Sequence, residues 1–160
     1  MNRTTVERKS DREVVVTRTF DAPARLVFEA WTKPELFKQW WVPRSMGMTL
    51  CSCELDVRTN GKYRLVFGDE PANSMAFFGR YLDVVPNQRI VWTNEESGAD
   101  GSVTTVTFEE KNGKTTLVMS ELYPTKEALD AGIGAQEAMN ETFGQLDELL
   151  APLAATAARS

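Results

Sequence analysis

Residues 103–119 read VTTVTFEEKNGKTTLVM, a pattern typical of a β-hairpin. Two β-branched runs flank Asn112-Gly113, a dipeptide that supplies the two positive φ angles of a type I′ turn. Asn60-Gly61 separates CSCELDVR from KYRLVF in the same way and predicts a second hairpin. Turn signals at 86–88 and 97–101 divide the sequence between the two hairpins. The middle of the chain therefore reads as an antiparallel meander of six strands.

One strand and two short helices are predicted before this meander. Glu13–Phe20 is rich in β-branched residues, which indicates a strand. Asp21, with Pro23 in the next turn, indicates the start of a helix that runs to about Trp31. The segment 32–35 (TKPE) has the form of a capping box with proline in the first turn and predicts the second helix.

A long helix is predicted after the meander, at about 135–150. Its apolar residues are spaced at four, three and four, which predicts one buried face made of Met139, Phe143, Leu146 and Leu150. Gln145 is expected on the other side, with Glu141 and Glu148. An antiparallel sheet of seven strands must cover its apolar face with this helix, which predicts an α+β fold. Sheet twist and curvature would leave a gap between helix and strands.

The composition restricts domain organisation, location and partners. A chain of 160 residues with 42% hydrophobic and 26% charged residues is expected to fold as a single domain, which we place at 12–151 with flexible termini at 1–11 and 152–160. The net charge of −5 argues against nucleic acid as a partner. Neither a signal peptide nor an apolar run long enough to span a membrane is found, so a cytoplasmic location is expected.

The absence of histidine excludes several kinds of site. Zinc sites and the iron sites built on two histidines lose their ligands, and Ser-His-Asp and Cys-His mechanisms lose their base. We therefore expect no metal and no cofactor. The two cysteines, Cys51 and Cys53, would share one face of a strand, where a disulfide would be strained. They are interpreted either as small buried hydrophobic residues or as a redox-sensitive pair.

Five segments carry a family resemblance: Asp21–Trp31, Trp40–Pro43, Asp56–Tyr63, Gly79–Pro86 and Arg89–Thr93. They resemble homologues of the activator of the heat-shock protein 90 ATPase, a family of the START or Bet v 1-like (SRPBCC) superfamily. The resemblance extends over about Glu13 to Leu150. It implies a helix-grip fold, in which a curved sheet wraps around a long C-terminal helix and encloses a cavity. Its relatives carry lipids, sterols or polyketides, cyclise polyketides, or assist a chaperone.

Two departures from the family pattern concern the cavity wall. Relatives commonly show Gly-Trp early in the last helix, where this chain has Ala138-Met139, and Trp-Gly-Pro where it has Trp41-Val42-Pro43. A flexible thioether in place of an indole should enlarge or soften the wall.

Candidate ligand-binding residues come from the short helices, the strands and the last helix: Trp40, Trp41, Phe77, Arg80, Tyr81, Trp92, Phe108, Met119, Met139, Phe143 and Leu146. Trp40 and Trp41 either gate the cavity mouth or fill and cap the core. The helix stripe is either core alone or core and cavity lining. Arg80 or Tyr81 either fixes a carboxylate or hydroxyl of the ligand, or belongs to a solvated outer face.

Three functions follow from these features. The first, which we favour, is binding of a small hydrophobic molecule of lipid, sterol, polyketide or aromatic type without turnover. The second is a polyketide cyclase-like enzyme, with Arg80, Tyr81 or Asp83 as polar groups. The third is a chaperone-associated or stress-response interaction domain, with a chaperone partner or a second copy of the chain.

Overall fold

The computed structural model describes residues 4–42, 50–68, 75–95, 101–130 and 139–159. Within these ranges, eight strands form one antiparallel sheet in the order β1-β2-β8-β7-β6-β5-β4-β3. Strands β3 to β8 lie side by side in chain order, and β2, which pairs with β1, joins this meander by pairing with β8. The strand bounds are β1 Thr5–Arg8, β2 Glu13–Phe20, β3 Leu50–Leu55, β4 Lys62–Phe67, β5 Met75–Val85, β6 Arg89–Thr93, β7 Val103–Lys111 and β8 Lys114–Leu122.

Helices lie between β2 and β3 and after β8. Their bounds are α1 Ala24–Thr32, α2 Pro34–Phe37, α3 126–130 and α4 Met139–Arg159. Helix α4 packs against α1 and β2, and α1 packs against β7 and β8. The α+β helix-grip fold expected from the sequence is therefore confirmed. The predicted start of the long helix at residue 135 lies outside the described residues, as does most of the turn at 97–101.

Two elements extend beyond the sequence prediction. Thr5–Arg8 form β1, which pairs with β2 and makes the sheet eight-stranded instead of seven-stranded. All four of its side chains are exposed, so no apolar alternation could reveal it. Helix α4 continues to Arg159, past the predicted end at Leu150. Its last turns are rich in alanine, which favours helix without needing a buried face. The division into one domain at 12–151 stays a prediction.

The two predicted hairpins have different turns. Asn112 and Gly113 have φ angles of 56° and 80° between paired β7 and β8, which confirms the type I′ hairpin. The connection between β3 and β4 spans residues 56–61, so the prediction of a two-residue turn was wrong. Asn60 has a positive φ of 73°. Glycine is needed at position 61 for a different reason, because a Cβ there would lie 2.0 Å from the Asp56 carbonyl oxygen.

The main core lies between α4, α1 and the β2 side of the sheet. All four residues of the predicted α4 stripe are buried, and the ring of Phe143 meets that of Phe20 edge to face at 5.6 Å. Burying each large apolar side chain stabilises the fold by about 1.5–3 kcal/mol. The stripe is therefore the main reason that α4 stays on this side of the sheet.

The beginning of α1 is capped from the sheet and not by the residues before it. The Ala24 amide donates to Oε1 of Glu110 in β7 at 2.8 Å. Asp21, predicted as the start signal, pairs instead with Lys114. The helix predicted after Asp21 is confirmed as α1, but the capping box predicted at 32–35 is wrong, because the Thr32 hydroxyl donates back to the Phe28 carbonyl at 2.9 Å. Thr32 is the last residue of α1, so its hydroxyl bonds within that helix and does not cap α2.

We expect Glu110→Ala to lower the free energy of unfolding by about 1 kcal/mol, the usual loss for an N-cap acceptor. The melting temperature should fall by roughly 2–4 °C for a chain of this size. Glu109→Ala is the matched control on the same strand, where the side chain is exposed, and should stay within about 0.5 kcal/mol of the original protein. Equal losses in thermal denaturation of the two variants would contradict the capping role.

Candidate functional site

A cavity of about 380 Å³ lies between the inner face of strands β3 to β8 and the helices. Among the lining residues that the structure describes, half are aromatic, and one group of polar side chains interrupts the apolar surface. The lining residues are Trp31, Phe37, Trp41, Leu55, Tyr63, Leu65, Phe67, Phe77, Tyr81, Ile90, Trp92, Asn94, Ser102, Thr104, Met119, Glu121, Tyr123 and Met139.

Strand register sorts the sheet side of the lining into rows. Tyr81 pairs with Trp92, Trp92 with Thr104, and Thr104 with Glu121, so these four residues form one row across β5, β6, β7 and β8. Directly paired residues of an antiparallel sheet project from the same face. The next row towards α1 contains Ile90, Val106 and Met119 and is entirely apolar. The cavity floor therefore has a row with polar groups beside an apolar row.

Aromatic rings from α1, α2 and the residues after α2 form the opposite wall. Trp31 meets Trp41 and Trp92 at ring-centroid distances of 5.7 Å each. Phe37 stacks on Trp41 at 4.9 Å with an interplanar angle of 25°. The Trp31 Nε1–H is covered by neighbouring atoms and makes no hydrogen bond within the described part of the chain.

The polar end of the cavity is built from residues at the ends of β6, β7 and β8. The Asn94 amide donates to the hydroxyl oxygens of Ser102 and Thr104, both at 3.0 Å. The Thr104 hydroxyl in turn donates to Oε1 of Glu121 at 2.7 Å. These groups satisfy one another, which is the condition for keeping polar atoms at a partly buried site.

Two tyrosines in the lining differ in their hydrogen bonding. The Tyr63 hydroxyl donates to the Thr93 carbonyl at 2.6 Å. The Tyr81 hydroxyl makes no hydrogen bond to any residue that the structure describes, although Tyr81 is 95% buried. Burial raises the pKa of Tyr81 well above its usual value, and Cys53 and Asp56 act in the same direction. Tyr81 is therefore a neutral phenol, with its proton in place, across the physiological pH range.

Gln145 of α4 fixes the segment that carries Trp41. Its amide nitrogen donates to the Trp40 carbonyl at 3.0 Å and to the Val42 carbonyl at 2.9 Å. The expectation that Gln145 points away from the buried face was wrong, because these two carbonyls pair its amide and allow its burial. The position of Trp41 in the cavity wall depends on this contact.

Comparison with known proteins places the chain in a family. Residues 21–151 match the family described as "Activator of Hsp90 ATPase homolog 1-like protein". The chain belongs to this family. None of the curated proteins matches it.

Several solved structures are similar to this chain and share its fold. A protein from Rhodobacter sphaeroides has 24% identity and a TM-score of 0.84, with 94% of this chain and 99% of that chain covered. A protein from Staphylococcus epidermidis has 30% identity and a TM-score of 0.77, with 91% and 93% covered. The AHSA1-like protein from Aeromonas hydrophila has 15% identity and a TM-score of 0.67, with 84% and 92% covered.

The described residues meet neither the requirements of a membrane-spanning helix nor those of a metal site. No helix among them is long and apolar enough to cross a membrane. They contain no group of three or more His, Cys, Asp or Glu side chains that could hold a metal ion.

Six of the eleven candidate residues named from the sequence line the cavity: Trp41, Phe77, Tyr81, Trp92, Met119 and Met139. Four others belong to the core outside the lining. Trp40 is fully buried, and its Nε1 donates to the Ala30 carbonyl at 2.9 Å. Phe108 packs against the ring of Phe28 at 5.7 Å, while Phe143 and Leu146 are fully covered where α4 meets the sheet. Trp40 therefore fills the core, and Trp41 contacts the cavity.

Arg80 lies outside the cavity, which corrects the expectation that it reaches the ligand space. Successive strand residues alternate between faces, so the inward position of Tyr81 turns Arg80 outward. The Arg80 guanidinium pairs with Glu95 at 3.2 Å in an exposed groove on the outer face. Asp83, the other proposed polar group, is held by Arg89 at 2.8 Å and does not line the cavity either.

Sequence reasoning missed the polar end of the cavity, although a signal for it was present. Asn94, Thr104 and Glu121 continue the inward-facing alternation of their strands by one step beyond Trp92, Val106 and Met119. They were overlooked because polar residues near strand ends usually face solvent. Extending each alternation to the strand end would have grouped them, since the register places Thr104 and Glu121 directly opposite each other.

The surroundings of Cys53 bear on the two interpretations of the cysteines. Its half-buried side chain packs against the core and is a free thiol, whereas the side chain of Cys51 lies outside the described part of the structure. Burial raises the pKa of the Cys53 thiol to about 11, and the positive charge of Lys38 opposes this only in part. Because the thiolate is the reactive form, these surroundings favour an inert structural role for Cys53.

We expect Cys53 to react slowly with iodoacetamide in the folded protein. In a Cys51→Ser variant at pH 8, its rate should be about 100-fold lower than in the urea-unfolded chain, because the raised pKa lowers the thiolate fraction tenfold per pH unit. Intact-mass spectrometry gives both rates. The folded rate should still rise at pH 10, and a plateau near pH 9 would contradict the raised pKa.

We expect Gln145→Leu to lower the free energy of unfolding by about 2–3 kcal/mol, because it leaves two sheltered carbonyls without a donor. The tryptophan emission should also change, since the segment with Trp41 loses its support. Gln39→Leu is the control, because the Gln39 amide donates to the exposed Glu35 carbonyl, which water can reach. Similar losses in the two variants would show that the Gln145 contacts do not support this segment.

Proposed function

We propose that this protein binds a small hydrophobic molecule in the cavity without converting it. The observation that supports this proposal is the 380 Å³ space with its largely apolar lining. Ligand pockets of about 300–1,000 Å³, mostly apolar with a few placed polar groups, are typical of small-molecule sites. An apolar cavity of about 150 Å³ accommodates benzene, so this one has the size for a substituted two-ring molecule.

Family membership supports the same class of ligand. Proteins of this superfamily commonly bind hydrophobic ligands. In this chain, Met139 stands at the cavity where relatives commonly carry tryptophan, and a thioether leaves more room and adapts its shape more easily than an indole. We therefore propose an aromatic or polyketide-type ligand of modest size. A cytoplasmic location, a chaperone partner and a homodimer stay predictions.

A cyclase-like reaction is a second candidate, and one observation favours it. The Glu121 carboxylate lies in the cavity lining beside the Thr104 hydroxyl, where it could exchange a proton with a bound substrate. Turnover of a polyketide-like substrate that disappears in Glu121→Gln, with binding retained, would support the enzyme. Arg80 and Asp83 take no part in this version, because both lie outside the cavity.

Filling the cavity tests the binding proposal directly. A series of neutral one- and two-ring probes should raise the melting temperature, by roughly 3–6 °C at ten times the dissociation constant, since this concentration adds about 1.4 kcal/mol of stability. Met139→Trp should abolish the response by occupying the space with an indole. Met139→Leu has a similar volume to the original residue and should keep it.

Differential scanning fluorimetry measures these shifts, and isothermal titration calorimetry gives the dissociation constants. A probe series that leaves the melting temperature of the original protein unchanged would overturn the binding proposal. A response that persists in Met139→Trp would show that the probes bind elsewhere.

A further inference from the structure

The Tyr81 hydroxyl is a polar group of the cavity for which the described fold supplies no partner. Tyr81 lies in the lining on β5, and only 5% of its surface is exposed. Protein atoms do not completely cover the hydroxyl oxygen, so it faces open space. For a residue this deep in the molecule, that space is the cavity.

Tyr63 and Thr104, two neighbouring polar residues of the lining, do not share this property. Tyr63, whose ring lies 5.7 Å from that of Tyr81, donates its hydroxyl proton to the Thr93 carbonyl. Thr104, in the same row as Tyr81, both accepts from Asn94 and donates to Glu121. The Trp31 Nε1–H also lacks a hydrogen bond within the described residues, but covering atoms shield it from a ligand. Tyr81 thus combines an unused donor with access to the cavity.

A hydroxyl at this position is not explained by stability. Burying a hydroxyl without a partner is unfavourable, and phenylalanine would fill the same volume without that penalty. Residues that stability does not require, placed in a cavity, are candidates for a role in binding. Because the pKa of Tyr81 is raised, its hydroxyl keeps the proton that it could donate.

We propose that Tyr81 determines the specificity of the cavity by donating a hydrogen bond to a neutral oxygen acceptor, a ketone, ester or hydroxyl, on an otherwise apolar ring-containing ligand. This inference rests on the binding function proposed above and names the chemical group that the ligand carries. The acceptor would lie beside the Trp92 indole, because Trp92 is the cross-strand partner of Tyr81. The rings of the ligand would contact the aromatic wall and Met139.

The charges around the cavity favour a neutral acceptor over a carboxylate. Along the described lining, the acidic side chain is that of Glu121. The Asp56 carboxylate also lies close enough to Tyr81 to raise its pKa. A ligand carboxylate at Tyr81 would meet both negative charges in a poorly solvated space.

Three two-ring probes of similar size test this inference: 2-ethylnaphthalene, 2-acetylnaphthalene and 2-naphthoate. For the original protein, the ketone should bind about fivefold more tightly than the hydrocarbon, the usual effect of one neutral hydrogen bond, and more tightly than the carboxylate. In Tyr81→Phe, the ketone should lose that advantage while the hydrocarbon keeps its affinity. Isothermal titration calorimetry supplies all six dissociation constants.

The outcomes separate this inference from the function on which it rests. If none of the three probes binds the original protein, the binding function fails for ligands of this class. If the probes bind but the ketone has no advantage, or keeps it in Tyr81→Phe, the role of Tyr81 is overturned and the binding function stands. Carboxylate binding as tight as ketone binding would overturn the preference for a neutral acceptor.

Two further measurements keep the inference testable if the variant behaves poorly. The infrared carbonyl stretch of bound 2-acetylnaphthalene should lie below its frequency in an alkane solvent, as expected for a hydrogen-bonded ketone, and an unshifted band would contradict the contact. Tyr81→Phe should retain or raise the melting temperature, whereas Tyr63→Phe should lower it by removing the hydrogen bond to Thr93. A larger loss for Tyr81→Phe would indicate a structural partner for its hydroxyl.

Discussion

The packing of α4 against the β2 side of the sheet is the constraint on which the rest of this structure depends. Phe143, Leu146 and Leu150 are completely buried there, and Phe143 packs directly on Phe20 of β2. Only the start of the described helix, at Met139, reaches the cavity. The inner faces of β4, β5 and β6 are therefore left for the cavity, because the apolar stripe that could have covered them is used elsewhere.

A partly buried ion pair reinforces this packing by fixing position more than by adding stability. Arg18 of β2 binds Asp147 of α4, and the Arg18 side chain is almost completely buried. Burial nevertheless raises the pKa of Asp147, against the opposing effect of Arg18. The carboxyl therefore ionises less readily in the folded chain, and its own contribution to stability falls as pH rises from its ordinary range through the raised pKa. This ion pair is costly to ionise, but it forms only when the two side chains lie in one relative position. It therefore favours one arrangement of helix and sheet.

The sequence predicted the fold more completely than the site, and the reason is physical. Alternation and helical spacing report which face of an element is buried, so β2, the β7–β8 hairpin and the α4 stripe could be predicted. They do not report how far along a strand the helices reach. Phe108 and Met119 both point inward, yet Phe108 lies under α1 and Met119 lies at the cavity. β1 gave no signal, because its exposed side chains carry no pattern and its pairing depends on the backbone.

The polar groups of the cavity show how the fold combines stability with binding. Asn94, Thr104 and Glu121 form hydrogen bonds with one another, so they can stay at the end of an apolar space without destabilising the sheet. Gln145 does the same for the backbone beside Trp41. A wall of this kind, in the part of the cavity that the structure describes, would hold a ligand mainly through shape and through the unpaired Tyr81 hydroxyl. Selectivity in such a cavity would follow from the placement of one acceptor relative to the rings of the ligand, because the surrounding groups are already paired.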